Sequence, residues 1–348
     1  MSANINILVG GEAGQGLVTI GESVARAMTR AGYEIVVTQD YMSRIRGGHN
    51  TFAIRTGPDP ALAPIEDIDI LVALNQETVD LHLPRLSSQG VLVAGDDLAV
   101  PAGASCLRVP FRKLAAKPLY DNVAALGVLG SAICGDLAIL ERLVSETFAK
   151  KGREVIEANL AVLRAAYAWV KEQDFAFTCM PPAPEGNAGR LMLNGNEAIA
   201  LGALAAGCDF VSFYPMTPGT SVVLTLIDKG RETGLVAEQA EDEIAAANMA
   251  LGASYAGLRS MVATSGGGFA LMTEAVSLAG MTETPVVIIV AQRPGPATGL
   301  PTRTEQGDLN FVLHAGHGEF PRVLYAPGSV EEAISLANDS PYGLAAYI

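Results

Sequence analysis

The chain is short of cysteine, of cationic side chains and of long apolar runs, and each shortage removes a class of function. Four cysteines, Cys106, Cys134, Cys179 and Cys208, are scattered through 348 residues. Without close pairs they outline neither a zinc site nor an iron–sulfur cluster, and most are expected to be small buried hydrophobes. His314 and His317 are the one close histidine pair, and with no third ligand in view a surface or packing role is expected. Lys and Arg number 23 against 37 Asp and Glu, a net charge of −14. A field of that sign repels phosphate backbones, so nucleic acid is excluded as a partner. Anionic substrates must be captured by a few placed arginines. No run approaches the ~20 apolar residues of a membrane span, and Met-Ser-Ala-Asn-Ile-Asn carries no basic leader. A cytoplasmic protein with no membrane partner is expected.

What is present suits an α/β protein. Hydrophobic residues make up 49% of the chain, enough for two domains with real cores. Ile5–Val9 is a short apolar strand, Gly10–Gly16 a glycine loop, and 17–30 a helix closed by Gly32. Further strands are expected at 34–38, 69–74, 90–94 and 106–109, giving a doubly wound parallel sheet. The loop glycines do not match the dinucleotide fingerprint, although Asp40 follows the second strand and keeps a nicotinamide site open. Tight strand-to-helix packing explains the glycines equally well. Arg44-Ile-Arg46-Gly-Gly-His49 offers two cations beside flexible glycines, suited to a phosphate or to a partner chain.

Residues 122–170 look helical throughout. Lys171 to Gly189 holds three prolines and two glycines and reads as a linker before a strand-like start at Arg190. The expected organisation is a first domain at 1–175, a linker at 176–189, a second doubly wound domain at 190–329 and an atypical tail at 330–348.

In the second domain, Asn194-Gly-Asn-Glu opens an alanine-rich helix, and strand 209–214 delivers Tyr214-Pro215-Met-Thr217-Pro218. Two prolines hold Thr217 rigidly at a strand end, where α/β proteins place ligands. Strand 235–237 runs into Glu238, Glu241, Asp242 and Glu243. Acids in a first helical turn offset the macrodipole, but Glu243 sits next to the apolar run and suits a proton-transfer role. Strand 260–263 ends in Thr264-Ser265-Gly266-Gly-Gly268, whose amides suit close approach to a ring or anion. The loop 293–303 is too long and proline-rich for a mere connector. Within it Arg303 suits a substrate carboxylate, and Arg293 suits ordering the loop.

With these residues the chain resembles the 2-oxoacid:ferredoxin oxidoreductases, specifically a γ domain fused ahead of an α domain. The γ-like part is Gly10–Gly16 with Arg44–Gly48; the α-like part is Tyr214–Pro218, Glu241–Glu243, Thr264–Gly268 and Gly295–Asp308. The resemblance implies thiamine diphosphate shared with a β subunit that supplies Mg²⁺ and an iron–sulfur cluster. No metal ligand is assigned to this chain. It puts Glu243 on the coenzyme's pyrimidine nitrogen, with Tyr214, Pro215, Ser265 and Gly266 as further coenzyme contacts, and Thr217 and Arg303 on the 2-oxoacid. Gly11, Gly14, Gly16, Arg44 and Arg46 would cover coenzyme A or a subunit interface. The implied reaction is decarboxylation of a 2-oxoacid, 2-oxoglutarate over pyruvate by analogy of domain order, to an acyl-coenzyme A with electrons passed to ferredoxin.

Two departures are visible. The family's Thr-Ser-Gly-Pro-Gly has Gly267 in place of proline, and the run Ala337-Asn-Asp-Ser-Pro-Tyr-Gly-Leu344 resembles aldehyde dehydrogenase, as a truncated or chimeric chain would. The alternative functions are an NAD-linked oxidoreductase using the first glycine loop and a non-catalytic assembly module.

Overall fold

The apolar run that opens the chain forms β1 (Ile5–Glu12), buried at all but its two ends, as expected of a strand covered on both faces. In the computed structural model, which describes residues 4–42, 47–115, 117, 120–173, 175, 179–339 and 346–347 and gives only backbone from 336 on, the chain divides into two units, Met1–Met192 and Leu193–Ile348.

In the first unit β1 leads into α1 (Leu17–Ala31), which Gly32 ends in the left-handed region with its N–H on the Thr29 carbonyl. There follow β2 (Glu34–Asp40), β3 (His49–Gly57), β4 (Ile68–Ala73), α2 (Gln76–His82), β5 (Leu86–Gly95), β6 (Cys106–Val109), α3 (Phe111–Leu114), α4 (Asp121–Ala132), α5 (Leu137–Thr147) and α6 (Arg153–Lys171). The sheet order is β2-β3-β1-β4-β5-β6. Here the sheet departs from the expected all-parallel pattern: β3 runs antiparallel to both β1 and β2, and only β1, β4, β5 and β6 are mutually parallel. The reason is the short connection at 41–48, too brief for a crossover helix, which turns β2 directly back into β3. β3 alternates buried Asn50, Phe52, Ile54 and Thr56 with half-buried neighbours, the period of a strand.

Gly10 and Gly11 belong to β1 and not to a loop. A Cβ at Gly10 would strike the Thr78 side chain and one at Gly11 the Leu74 side chain, so these glycines let the strand approach its neighbours closely. The expected single helical stretch at 122–170 is three helices. Cys134, at φ 57°, and the N-cap Asp136, whose carboxylate accepts from the Ala138 N–H, make the first break; Gly152, at φ 92°, makes the second. Core residues of α1, α4, α5 and α6 cover one face of the sheet, and Val79 of α2 joins Leu8, Leu71 and Leu92 on the other.

The cysteine expectation fails for one pair. Cys134 and Cys179 are exposed and joined in a disulfide with Cα atoms 5.3 Å apart, while Cys106 and Cys208 are free and half-buried. Arg44 and Arg46 lie outside the described residues, as do 340–345 of the unusual tail. No strand begins at Arg190, where the backbone is irregular up to the next helix.

The second unit contains α7 (Gly195–Ala205), β7 (Phe210–Phe213), α8 (Thr220–Lys229), β8 (Val236–Gln239), α9 (Glu243–Tyr255), β9 (Ser260–Ser265), α10 (Gly266–Leu271), α11 (Thr273–Met281), β10 (Val287–Ala291), α12 (Leu309–His314), β11 (Leu324–Tyr325), α13 (Val330–Asp339) and β12 (Ala346–Tyr347). Asn194 and Glu197 form a reciprocal capping box at the start of α7. The described strands pair in parallel in the order β11-β12-β10-β9-β7-β8. Ala333 of α13 is buried with Ala198, Val222 and Leu226, so α13 is part of this unit's core.

The crossovers leave in opposite directions. From β7 the chain goes through α8, whose Val222, Val223 and Leu226 pack on one face, to reach β8. From β9 it goes through α10 and α11, whose Phe269 and Ala275 pack on the other face, to reach β10. The ends of β7 and β9 therefore splay apart, and the crevice between them is where a doubly wound sheet binds its ligand.

Candidate active site

The polar motifs of the second unit meet at that crevice. Beyond β7, Tyr214, Pro215 and Thr217 are exposed, and the Thr217–Pro218 peptide is cis. The turn is held from several sides. Arg293 donates from Nη1 to the Thr217 carbonyl at 2.8 Å, so this arginine orders the loop as its sequence context suggests. Asn196 of α7 donates from Nδ2 to the Pro218 carbonyl at 3.0 Å and to Ser221 Oγ at 2.5 Å. Gly219 sits so close to β9 that a Cβ would lie 2.6 Å from the Thr264 carbonyl oxygen. Thr264 Oγ1 in turn faces Met216 Sδ at 4.0 Å.

Glu243 begins α9, the helix that follows β8. Asp242 caps it, its Oδ1 accepting from the Ala245 N–H at 2.7 Å. The Glu243 side chain is only 4% exposed, among Ala246, Ala247 and the glycine segment, and no hydrogen-bond partner for its carboxylate is found among the described residues. Glu241 and Asp242 are exposed. The macrodipole explanation therefore covers those two and leaves Glu243 as the buried member.

The third wall is the end of β9 and the start of α10. Ser265 is fully buried, and its Oγ has no partner. Gly268 is pressed against Thr264 Oγ1 and Glu243, and a Cβ there would fill the space beside the carboxylate. Gly266 is equally tight against Asp308, a non-glycine residue at φ 63°. Gly267 is exposed, with the Ala297 carbonyl 3.4 Å from where its Cβ would be. The long loop after β10 thus folds back onto the glycine turn, fastened also by the Gly307 N–H on Gln292 Oε1 at 2.6 Å. Arg303 lies exposed on this loop, its backbone N–H on the Leu300 carbonyl.

Asn196, Gly219 and Asp308 shape this site and were not singled out from the sequence. Asn196 is hidden inside a capping motif, and Asp308 has no sequence signal beyond its place after the long loop. His314 donates from Nδ1 to the Asn310 carbonyl, and the His317 N–H donates to Ser277 Oγ, which accounts for the pair by local packing.

In the first unit, the glycine turn after β1 borders a cavity of about 770 Å³ at the ends of the parallel strands. Gly14 and Gln15 line it with Asp96, Asp97, Asp121 and Arg112. Burial, with Asp97 nearby, raises the Asp121 carboxyl, and Arg112 opposes the shift. Gly16, at φ 81°, packs on the Asn122 amide.

Both units match known families. A family model described as pyruvate flavodoxin/ferredoxin oxidoreductase, thiamine diP-binding, matches residues 201–340, and one described as pyruvate ferredoxin/flavodoxin oxidoreductase matches residues 6–169. The α subunit of a 2-oxoacid:ferredoxin oxidoreductase from Sulfolobus is 32% identical over 94% of this chain. The chain is homologous to the α subunits of 2-oxoacid:ferredoxin oxidoreductases. A 2-oxoglutarate:ferredoxin oxidoreductase from Magnetococcus marinus, solved with 2-oxoglutarate, coenzyme A and succinyl-CoA bound, superposes on the whole chain with a TM-score of 0.91 at 32% identity. The 2-oxoglutarate synthase subunit KorA of Archaeoglobus fulgidus is 44% identical over 40% of this chain and 41% of its own length. The chain spans 60% of the Sulfolobus subunit and 63% of the Magnetococcus chain. Among the described residues, no helix is long and apolar enough to cross a membrane.

Proposed function

We propose that the chain is the α subunit of a thiamine-diphosphate-dependent 2-oxoacid:ferredoxin oxidoreductase, with residues 1–175 in the γ role, working with a β subunit that supplies Mg²⁺, an iron–sulfur cluster and the path to ferredoxin in the cytoplasm. The observation that carries this reading is Glu243: a carboxylate 4% exposed, without a hydrogen-bond partner among the described residues, packed against a glycine whose missing side chain lets it sit beside the β9 end. The orphaned Ser265 Oγ at the same strand end fits the polar edge of a flat heterocycle such as the aminopyrimidine of thiamine diphosphate.

When bound, thiamine diphosphate supplies the nucleophile and the electron sink for decarboxylation. The chain's own residues do the rest. Glu243 holds a proton at the pyrimidine ring nitrogen, fixed in direction by the Asp242 cap. Tyr214, Pro215, Ser265 and Gly266 would hold the coenzyme's ring at the strand ends. Thr217, held by Arg293 through its carbonyl, presents a hydroxyl to the 2-oxoacid, and Arg303 pairs with a substrate carboxylate.

The substrate assignment favours 2-oxoglutarate over pyruvate, supported by the 2-oxoglutarate-bound Magnetococcus relative. Coenzyme A is the acyl acceptor. In the first unit, packing accounts for Gly11 and Gly16, and three carboxylates against one arginine make the crevice near Gly14 a poor host for a polyphosphate. That loop is therefore assigned to packing or to a subunit interface. Turnover of 2-oxoglutarate and pyruvate by the reconstituted α–β complex tests the assignment: Arg303→Met should raise KM for the preferred acid by at least about tenfold, as loss of a charge-assisted pair implies. An unchanged KM for both acids would remove Arg303 from the site.

A further inference from the structure

We propose that Cys134 and Cys179 are a reversible thiol–disulfide modification site, exchanging with low-molecular-weight thiols and disulfides, that clasps residues 179–192 to the rest of the first unit. The two sulfurs are bonded across 45 residues with Cα atoms 5.3 Å apart, within the range a disulfide spans without backbone movement. Both residues are exposed, so an attacking thiolate reaches either sulfur. The chain's other cysteines are unsuited to exchange. Cys106 and Cys208 are half-buried and unpaired, and burial raises both thiols, Cys208 to about 11, which keeps them protonated near neutrality.

The two ends of the clasp are held unequally. Cys134 sits in a turn between α4 and α5 that is fixed without the disulfide: its N–H meets the Ser131 carbonyl, the Gly135 N–H meets Gly130 at 2.7 Å, and the Tyr167 hydroxyl donates to the Gly135 carbonyl at 2.7 Å. Cys179 lies in an irregular segment whose Met180 and Met192 pack half-buried against the core, with polar ties that include the Tyr33 hydroxyl on the Pro181 carbonyl, the Gly189 N–H on the Arg30 carbonyl and a solvated Arg190–Glu34 ion pair. Reduction therefore leaves Cys134 in place and loosens the other end, whose half-buried and surface contacts hold it less firmly than the turn at Cys134.

The chemistry balances by exchange. The thiolate of one cysteine attacks a small disulfide, forming a mixed disulfide and expelling one thiol. The second cysteine then attacks the protein-bound sulfur, closing the Cys134–Cys179 bond and releasing the second thiol. The two protein thiols lose two electrons and two protons, which appear as two small-molecule thiols; excess thiol reverses both steps.

The test is to equilibrate the full chain with oxidised and reduced glutathione over a wide range of ratios, quench, alkylate under denaturing conditions and count blocked thiols by mass. The expected result is two protected cysteines at the oxidising end, mapped to Cys134 and Cys179, four reactive ones at the reducing end, and passage in both directions. Proteolytic cutting within 179–192 should be at least about tenfold faster in the reduced chain, as local opening predicts. Cys106→Ser should leave both effects intact, and Cys179→Ser should cut at the reduced rate whatever the glutathione ratio. A thiol count that does not vary with the ratio, or switching with no change in cutting, would overturn the proposal; the count on the natural chain stands even if a variant does not fold.

Discussion

Gly268 and Glu243 are packed so that a Cβ on the glycine would lie 2.8 Å from the glutamate Cγ and 3.0 Å from its Oε1, with Thr264 Oγ1 nearer still. The glycine sits in the first turn of α10 and the glutamate in the first turn of α9, so two helix starts from strands on either side of β7 are brought into contact by the absence of one side chain.

Gly268→Ala should therefore displace the Glu243 carboxylate and the Thr264 hydroxyl at the end of β9. Overpacking of this size costs about 1–3 kcal/mol. Calorimetric titration of the α–β complex with thiamine diphosphate should show affinity reduced by at least about tenfold, a consequence of the same energy. Binding equal to that of the natural chain would separate Glu243 from the coenzyme.

Asp242→Ala removes the cap that directs Glu243, leaving the Ala245 N–H without its side-chain acceptor. The expected loss is about 1 kcal/mol of stability, seen as a lower urea midpoint at unchanged slope. Turnover should fall more than that small loss explains, because the helix start also aims the carboxylate. Asp242→Asn, which keeps a capping oxygen, should restore both.

His82 gives a pH dependence to the first unit. Its Nε2 meets His49 Nε2 at 2.7 Å, with Arg85 and Asp40 also facing it, and burial, then His49 and Arg85, lower its pKa to about 4 against a weaker opposing pull from Asp40. Between the ordinary value of 6.5 and about 4 the unfolded chain binds a proton there that the folded chain does not. Stability should therefore fall as pH falls through that window. The ring is partly solvated, so the contribution is about 1–2 kcal/mol after allowance for screening. Urea unfolding at pH 7 and pH 4.5 should show a smaller acid loss in His82→Gln than in the natural chain; equal losses would contradict the assignment.

Much of the second unit was legible in the sequence because local signals agree with the fold. The capping pair Asn194 and Glu197, the prolines around Thr217 and the apolar run after Glu243 each point where the structure goes. Glu243 could be distinguished from Glu241 because only it adjoins that run. The first unit was harder. β3 escaped notice because the glycines and arginines before it suggested an extended loop, and its antiparallel direction depends on pairing with β1, a long-range choice. The break at Cys134–Asp136 is masked by apolar residues that continue the helical period on both sides. The Cys134–Cys179 bond joins residues 45 apart, and pairing at that distance is set by the packing of α6 on α4, which precede the two cysteines. The contact of Asp308 with Gly266 is of the same kind, made by the return of a long loop.

The most direct measurement is thiamine-diphosphate- and Mg²⁺-dependent reduction of a viologen dye by this chain combined with a β subunit, with 2-oxoglutarate and coenzyme A, comparing the natural chain with Glu243→Gln. The prediction is reduction by the natural complex and a loss of at least about a hundredfold in the variant, the scale of a lost proton-transfer group, with the two complexes eluting alike on gel filtration. Equal rates from the two complexes would contradict the role given to Glu243 and with it the account of the site.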